Sequence, residues 1–524
     1  MAIGSLLPSL RSWRLQLGGT TNHWRLLSSR ASQIDASDET PLRKCTKTSG
    51  SKRKSSSSSR LTTEILRGRY GGRSPSTALQ NWVDEGRGKL SISQLRDIAK
   101  RLVVSRRYQH ALEAVTWMGD RQKFHMLPAD HAMRMELIIK VHGLREAEDY
   151  FKLLSDYASQ KAASLSLLRG YVKERDTRNA EAYMMNLKDL GLLVSPHLYN
   201  EMMKLYVATS QYDKVPLVIL QMKQNQIPRN VLSYNLWMSA NGELSGVSKA
   251  EMVYKEMKDD KNVEMGWSTP STLANIYMKA GIDDKAISAL KVAEKKLSSH
   301  SYVGYFFLIT QYCSLKNKEG VLRIWEASKV VTGRMTCANY IRILSCLVKL
   351  DDLAEAERVF LEWESNCQTY DIRVSNVLLG AYMRNGLIDK AETFHLHTLE
   401  RGGSPNYKTW EILMEGWVKS QKMDKAIDAM KKGFGMLHDC HWRPSHGILL
   451  AIAEYLEKHE KFEDANDYLI VLHNLDIATL PLYKVLLRMH LNAGRSISDI
   501  FKMMESKYIE MDEETHALVQ AVGS

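Results

Sequence analysis

A period of 35 residues constrains this chain more than any other feature of its sequence. A small apolar residue recurs with steps of 35, 35, 36, 35, 35, 35 and 35, at Ala180, Val215, Ala250, Ala286, Val321, Ala356, Ala391 and Ala426. A second register keeps the same steps, at Tyr171, Tyr206, Asn241, Tyr277, Tyr312, Leu347, Tyr382 and Trp417. Two registers with one period predict a single array of stacked repeats instead of several independent domains.

The stretch 372–406 defines the repeat as a pair of short helices. Apolar residues at helical spacing predict a first helix from about Val374 to Arg384. The Asn-Gly pair that follows predicts its end, because both residue types tolerate the left-handed conformation that closes a helix. Asp389 is the predicted N-cap of the second helix. Such a hairpin cannot bury its apolar stripe alone, so neighbouring hairpins have to cover it.

The array predicts an all-α protein, a right-handed α-solenoid superhelix of stacked helix–turn–helix repeats. We predict N-terminal capping helices in residues 61–91, about twelve repeats in 92–512 and a C-terminal capping helix in 513–524. Caps are expected because a terminal repeat would otherwise expose its stacking face. No apolar run approaches the ~20 residues of a membrane-spanning helix. The six cysteines form no CxxC pair, which is typical of free thiols.

Most of the positive charge belongs to the first 60 residues. The chain has a formal net charge of +12, and residues 1–60 supply +8 of it, with 11 Lys and Arg against three Asp and Glu. Residues 1–34 contain no acid, and their scattered arginines and serines are typical of an organelle transit peptide. We predict a transit peptide in 1–35 and a disordered linker in 36–60. The early arginines favour a mitochondrion over a chloroplast.

The sequence indicates neither a catalytic site nor a cofactor site. It contains no glycine-rich phosphate loop and no Ser-His-Asp signature. His438, Cys440, His441 and His446 are zinc donors by residue type, but their spacing matches no standard zinc site. We interpret them as surface residues. We predict a protein that is not an enzyme, takes no metal, cofactor or small-molecule substrate, and does not insert into a membrane.

Several repeats resemble the pentatricopeptide repeat (PPR). The resemblance is carried by Gln226-Ile-Pro-Arg-Asn230, Val231-Leu-Ser-Tyr-Asn235, Leu198-Tyr199-Asn200, and Ser375-Asn376 with the turn Gly386-Leu-Ile-Asp-Lys-Ala391. The period of 35 and the terminal Pro405-Asn406 favour this family over the related 34-residue tetratricopeptide repeat. The resemblance covers about residues 92–512, and the segment 108–118 is similar to the plain-repeat (P-type) plant mitochondrial members.

The resemblance implies single-stranded organellar RNA as the partner, with one base read by each repeat. In this family the fifth and last residues of a repeat choose the base. Carried over to this chain, Asn200 reads with Asn230, Asn235 with Gly266, Ser271 with Ser301, and Asn376 with Asn406. An Asn–Asn pair is expected to prefer pyrimidines.

Other repeats depart from this pattern. Their fifth and last residues include Arg96 with Leu127, Ile341 with Asp371, and Lys484 with Asp512. Phe306, a further fifth residue, is consistent with stacking on a base or with a place in the core.

Two functions follow from the resemblance. The first is a non-catalytic RNA-binding adaptor in mitochondrial RNA stabilisation, processing or translation. The second is a structural scaffold of the mitochondrial ribosome or another ribonucleoprotein, with ribosomal proteins and ribosomal RNA as partners. The Asn pairs favour the adaptor, whereas the apolar fifth residues and the charge of only +4 beyond residue 60 favour the scaffold.

Overall fold

The computed structural model describes residues 61, 65, 74–86, 90–121, 125–436 and 444–520. In this part of the chain the secondary structure is helical, and no strand occurs. The chain divides into two compact units, Met1–Leu297 and Ser298–Ser524. The transit peptide and linker predicted in residues 1–60 lie outside the described residues, as do His438, Cys440 and His441.

In the described part of the first unit, the helices from α1 to α13 follow one another with short connections. They are α1 (Pro75–Asp84), α2 (Ile92–Val104), α3 (Tyr108–Gly119), α4 (Pro128–Val141), α5 (Leu144–Leu153), α6 (Tyr157–Glu174), α7 (Thr177–Asp189), α8 (Pro196–Ala208), α9 (Lys214–Gln224), α10 (Val231–Ser245), α11 (Val247–Asp259), α12 (Ser268–Lys279) and α13 (Asp283–Glu294). The even-numbered helices are the first helices of successive repeats, and the odd-numbered helices from α3 onward are the second helices.

The described part of the second unit continues this alternation. Its helices are α14 (Tyr302–Ser314), α15 (Lys318–Ser328), α16 (Cys337–Lys349), α17 (Leu353–Asn366), α18 (Ile372–Arg384), α19 (Ile388–Glu400), α20 (Tyr407–Lys419), α21 (Met423–Phe434), α22 (His446–Lys458), α23 (Phe462–Asn474), α24 (Leu480–Asn492), α25 (Ser498–Ser506) and α26 (Glu513–Gln520). Even numbers again mark first helices, apart from the terminal α26.

Within each unit, the hairpins stack in chain order. Each first helix packs against its own second helix, and most also pack against the first helix of the next repeat. The small residues of the 35-residue register lie where helices meet, and all eight of them, from Ala180 to Ala426, are 0% exposed. A larger side chain at such a position would force the helices apart. The expectation of an all-α solenoid of helix–turn–helix repeats is confirmed.

The repeat at 372–406 shows how the sequence sets the helix ends. Asn385 is the C-cap of α18, and Gly386 follows in the left-handed region at φ +72°, as predicted. The predicted N-cap of the second helix is wrong. Leu387 is the N-cap of α19, and Asp389 lies in the first turn, where its negative charge still favours the helix N-terminus.

Neighbouring repeats are joined by a recurring group of three side chains, which we call the interrepeat cluster. It contains a glutamate of one second helix with an aromatic residue and a lysine of the next repeat. The Tyr277 hydroxyl donates to Glu251 Oε1 over 2.7 Å, and Lys285 Nζ donates to the same oxygen over 2.9 Å. The hydrogen bonds from Lys285 and Tyr277 hold the pKa of Glu251 below its ordinary value of 4.5.

The interrepeat cluster recurs in both units. In the first unit, Glu181 Oε1 accepts from the Tyr206 hydroxyl at 2.9 Å and from Lys214 at 2.6 Å. In the second unit, the corresponding residues are Glu357, Tyr382 and Lys390, and then Glu392, Trp417 and Lys425. Each cluster bridges adjacent repeats only, so it holds the stack one junction at a time.

Candidate nucleic-acid interface

Asn200 and Asn230 are brought together at the junction between two repeats. Asn200 lies near the start of α8 and is buried, whereas Asn230 is the N-cap of α10 and is half-buried. Asn200 Nδ2 donates to Asn230 Oδ1 over 3.1 Å, and the Ser233 hydroxyl donates to Asn200 Oδ1 over 2.8 Å. The backbone N–H of Ser233 donates to Asn230 Oδ1 over 3.0 Å. The two side chains therefore form one fixed amide pair.

The second unit repeats this arrangement. Asn376 Nδ2 donates to Asn406 Oδ1 over 3.3 Å, and the Thr409 hydroxyl donates to Asn376 Oδ1 over 3.0 Å. The backbone N–H of Thr409 donates to Asn406 Oδ1 over 3.0 Å, which caps α20. Two distant parts of the chain thus build the same amide pair from the same positions of the repeat.

The hydrogen bonds fix which way each amide faces. A backbone N–H can only donate, so the oxygen of Asn230 has to face the helix and its Nδ2 has to face away. Asn406 is oriented in the same way by Thr409. In the described part of the chain, neither of these two Nδ2 groups has a hydrogen-bond partner. Each pair therefore offers N–H donors to a ligand, while its oxygens are already used.

A surface groove of about 670 Å³ surrounds the amide pair of the second unit. Its walls come from the first helices of three consecutive repeats, α16, α18 and α20. Asn376 and Asn406 both line the groove. Four cationic side chains and one carboxylate also line it, and these are Lys349, Arg373, Arg384, Lys408 and Glu415. The groove therefore combines amide donors with positive charge.

Two of the four cations are already paired. Arg373 forms an ion pair with Asp371 at 2.7 Å, and the hydrogen bond from Arg373 holds the pKa of Asp371 below its ordinary value of 3.8. Lys408 pairs with Glu411 on the same helix. These two cations are less available to a ligand than Lys349 and Arg384.

Lys349, Arg384 and Lys419 form a row at the ends of three successive first helices. They are 35 residues apart and are the last residues of α16, α18 and α20. None of the three has an ion-pair partner among the described residues. The helix dipole favours a cation at each of these ends. We did not predict this row, although the recurrence of a basic residue at the 35-residue spacing was the signal that could have revealed it.

The remaining predicted readers are placed less favourably. Asn235 is buried, its Nδ2 donates to Ser268 Oγ over 3.3 Å, and its Oδ1 has no partner among the described residues. Gly266 offers no side chain to pair with it. Ser271 is 0% exposed in the first unit, and Ser301 caps α14 in the second unit by accepting from the Val303 N–H. The closed amide pair is therefore confined to Asn200–Asn230 and Asn376–Asn406 among the predicted positions.

In the repeats that depart from the family pattern, the fifth and last residues make contacts within the protein. Arg96 makes two hydrogen bonds to Asp130, at 2.8 and 2.6 Å. Burial alone would raise the pKa of Asp130, but the hydrogen bonds from Arg96 and from the Leu127 N–H hold it below 3.8. Lys484 pairs with Asp512 at 2.7 Å. Phe306 is 1% exposed, which settles its two interpretations in favour of the core.

None of the helices in the described residues combines the length with the hydrophobicity that a membrane span requires. No group of three or more His, Cys, Asp or Glu side chains that could hold a metal ion occurs in the same part of the chain.

A sequence profile described as the PPR repeat matches residues 232–262 and 374–402. A pentatricopeptide repeat-containing protein of Arabidopsis thaliana is 57% identical over 446 residues, which are 84% of this chain and 91% of that protein. A second Arabidopsis relative, named as mitochondrial, is 29% identical over 84% of this chain and 90% of its own length.

The large ribosomal subunit protein mL101 (rPPR4) of Arabidopsis is 34% identical over 82% of this chain and 88% of its own length. Among solved structures, the pentatricopeptide repeat protein PPR10 from maize is similar, with a TM-score of 0.38 and 15% identity, covering 89% of this chain and 80% of that one. The sequence relatives, at up to 57% identity over most of both chains, decide the classification: this chain belongs to the pentatricopeptide repeat family.

Proposed function

We propose that this protein is a non-catalytic RNA-binding adaptor of mitochondria that holds single-stranded RNA at its amide pairs and along its row of cations. The observation that carries the proposal is the amide pair, built twice with the same hydrogen bonds at Asn200–Asn230 and Asn376–Asn406. Its outward N–H groups have no partner in the described structure, so they are available to a ligand that supplies acceptors.

Pyrimidine bases fit the amide pairs by their chemistry. Cytosine and uracil both carry the O2 carbonyl, an acceptor, on the edge that single-stranded RNA exposes. In cytosine the second acceptor, N3, is adjacent to O2, whereas in uracil the second acceptor, O4, is separated from O2 by the N3–H donor. A pair that offers several N–H donors therefore favours cytosine over uracil, and either of them over guanine, whose edge is rich in donors.

The cations supply a contact that does not depend on sequence. RNA phosphates bind Lys and Arg side chains, and such contacts fix the strand without choosing its bases. Lys349 and Arg384 line the same groove as Asn376 and Asn406. We propose that a strand whose base meets the amide pair has its phosphates beside these two side chains and Lys419.

The test is RNA binding by the double variant Asn200→Ala/Asn376→Ala. Affinity for oligocytidine is expected to fall about tenfold or more, since each substitution removes part of a donor pair. Affinity for oligoguanosine should change little. Asn275→Ala, at an exposed position of α12, is the matched control. Equal loss on both oligomers, or an unchanged preference for cytidine, would show that these amides do not read bases.

Mitochondrial location is part of the proposal. Several Arabidopsis relatives are named as mitochondrial, and the acid-free, arginine-containing residues 1–34 have the composition of a transit peptide. Residues 1–60 fused to a fluorescent reporter are expected to direct it to mitochondria. A reporter that stays in the cytosol or enters chloroplasts would contradict this location.

A second candidate function is a scaffold in the mitochondrial ribosome. The relative mL101, named as a large ribosomal subunit protein, favours it. So do the internal pairing of Arg96 and Lys484 and the burial of Phe306 at positions where a base reader is expected. Sedimentation of a mitochondrial extract separates the two functions. Co-migration with the large subunit, with crosslinks confined to ribosomal RNA, favours the scaffold, and a footprint on one transcript favours the adaptor.

A further inference from the structure

A second cavity lies in the first unit, and neither Asn200 nor Asn230 is among its lining residues. It has a volume of about 410 Å³ and opens between the end of α3, the first half of α4 and the end of α5. Its lining includes two arginines, two histidines, one tyrosine and one carboxylate, which are Arg121, Arg134, His125, His131, Tyr150 and Asp120. This is the composition of an anion site, since the cationic and neutral donors outnumber the single carboxylate.

The aromatic side chains hold the arginines in place without neutralising them. The Arg134 guanidinium carbon lies 4.9 Å from the centre of the Tyr150 ring, and Arg121 lies 4.6 Å from the Trp117 ring. The Tyr150 hydroxyl is also 2.7 Å from His131 Nδ1. Stacking on a ring leaves the edge of a guanidinium, with its N–H groups, free to bind an oxyanion.

Neither arginine has a carboxylate partner in the described part of the chain. Arg121 donates to the neutral amide of Gln80, and the Nε of Arg134 is buried without a hydrogen-bond partner. Elsewhere in the structure, arginines of the repeats commonly pair with acids, as Arg96, Arg169, Arg229, Arg358 and Arg488 do. Two guanidinium groups without a carboxylate partner in the described residues line one cavity, so the cavity favours an anionic ligand.

We propose that this cavity binds a phosphomonoester, carried by the end of an RNA strand or by a free nucleotide. A phosphomonoester carries about −1.5 to −2 charges at neutral pH and three acceptor oxygens, whereas an internal phosphodiester carries one charge. Arg121 and Arg134 bind two oxygens of the phosphate, and His131 and Tyr150 form the polar wall beside it. Gly119 lines the same cavity, and a Cβ there would lie 2.7 Å from Met126 Sδ and 3.0 Å from the Arg134 guanidinium.

The experiment measures binding by the full-length protein to four probes: a 5′-phosphorylated oligocytidine, the same oligomer with a 5′-hydroxyl, cytidine monophosphate and inorganic phosphate. The phosphorylated oligomer or the nucleotide is expected to bind, and the double variant Arg121→Gln/Arg134→Gln should weaken that binding about tenfold. Arg178→Gln, at an exposed position of α7, removes one charge elsewhere, as the single variant Arg121→Gln does at the cavity, and should have no such effect.

The probes also identify the source of the phosphate. A gain for the 5′-phosphorylated oligomer over the 5′-hydroxyl oligomer, lost in the double variant, assigns the cavity to an RNA end. Arginine-dependent binding of cytidine monophosphate without that gain assigns it to a nucleotide. The proposal is overturned if Arg121 and Arg134 contribute to binding of neither the 5′-phosphorylated oligomer nor cytidine monophosphate. It is also overturned if Arg178→Gln weakens that binding equally. If the double variant unfolds, Arg121→Gln alone and the charge-preserving Arg134→Lys supply the comparison.

The outcome is independent of the amide pairs. If the protein binds 5′-hydroxyl oligocytidine through Asn200 and Asn376 and the terminal phosphate adds no affinity, only the phosphomonoester site is refuted. If the protein binds the nucleotide through Arg121 and Arg134 but binds no oligomer, only the adaptor function is refuted.

Discussion

Neutralising the row of cations should change how RNA binding depends on salt. In the triple variant Lys349→Gln/Arg384→Gln/Lys419→Gln, three groups without ion-pair partners among the described residues lose their charge. Each phosphate contact of single-stranded RNA contributes about 0.7 to the slope of log affinity against log salt. Three contacts contribute about 2. Between 50 and 200 mM salt, they account for roughly a 20-fold loss of affinity.

The assay is a titration of labelled oligocytidine at four salt concentrations. The triple variant should bind more weakly at low salt, and its slope should be about 2 less steep than that of the unmodified protein. The control variant Lys255→Gln/Lys258→Gln/Lys291→Gln removes the same charge from exposed positions of second helices. A slope that changes equally in both variants would show that net charge, and not the groove, determines binding. An unchanged slope would show that the row does not contact phosphate.

Other expected outcomes concern stability. Tyr277→Phe should lower the free energy of unfolding by about 1 kcal/mol in chemical denaturation, because one hydrogen bond between repeats is lost, whereas Tyr254→Phe, a control with no side-chain hydrogen bond among those described, should have little effect. The pKa of Glu251 is lower in the folded state than its ordinary 4.5. Its contribution to the free energy of unfolding is therefore complete above pH 4.5 and is lost as the pH falls through the lower value. Glu251→Gln should reduce this loss of stability in acid, and an identical pH profile would contradict the assignment. Gly320→Ala should destabilise by about 1–3 kcal/mol, since a Cβ there would lie 2.5 Å from the buried Tyr312 ring, whereas Gly447→Ala has nothing within 4 Å and should stabilise by about 0.5 kcal/mol; thermal melts that rank these two variants the other way would refute the packing argument.

The solenoid was predictable because its packing depends on residue size at a fixed spacing. Ala286 and Ala391 are 0% exposed, and Tyr312, in the other register, is as well. The helix ends were less predictable. Asp389 has the residue type of an N-cap, but residue type does not distinguish the N-cap from the first turn, where a carboxylate is also favoured.

The site was only partly predictable for a different reason. The positions of Asn200 and Asn230 follow from the repeat, but the direction in which each amide faces depends on the hydroxyl and backbone N–H of Ser233 on the next helix. The spacing of residues in the sequence does not show which hydrogen bonds form between neighbouring repeats. The interrepeat cluster of Glu251, Tyr277 and Lys285 was missed because charged residues are common on exposed helices and carry no signal individually.

The last residue of a repeat caps the helix that follows it in several repeats, and under the proposed function this limits how an RNA preference could change. Asn230 and Asn406 cap the helices that follow them, as do Ser195, Ser301 and Asp371 at the same position of other repeats. Good caps are confined to Asn, Asp, Ser, Thr and Gly. If these positions choose bases, the need to cap a helix already restricts which residue types can occupy them. Substitutions within that short set can alter the base preference, whereas any other residue would also weaken the start of the next repeat.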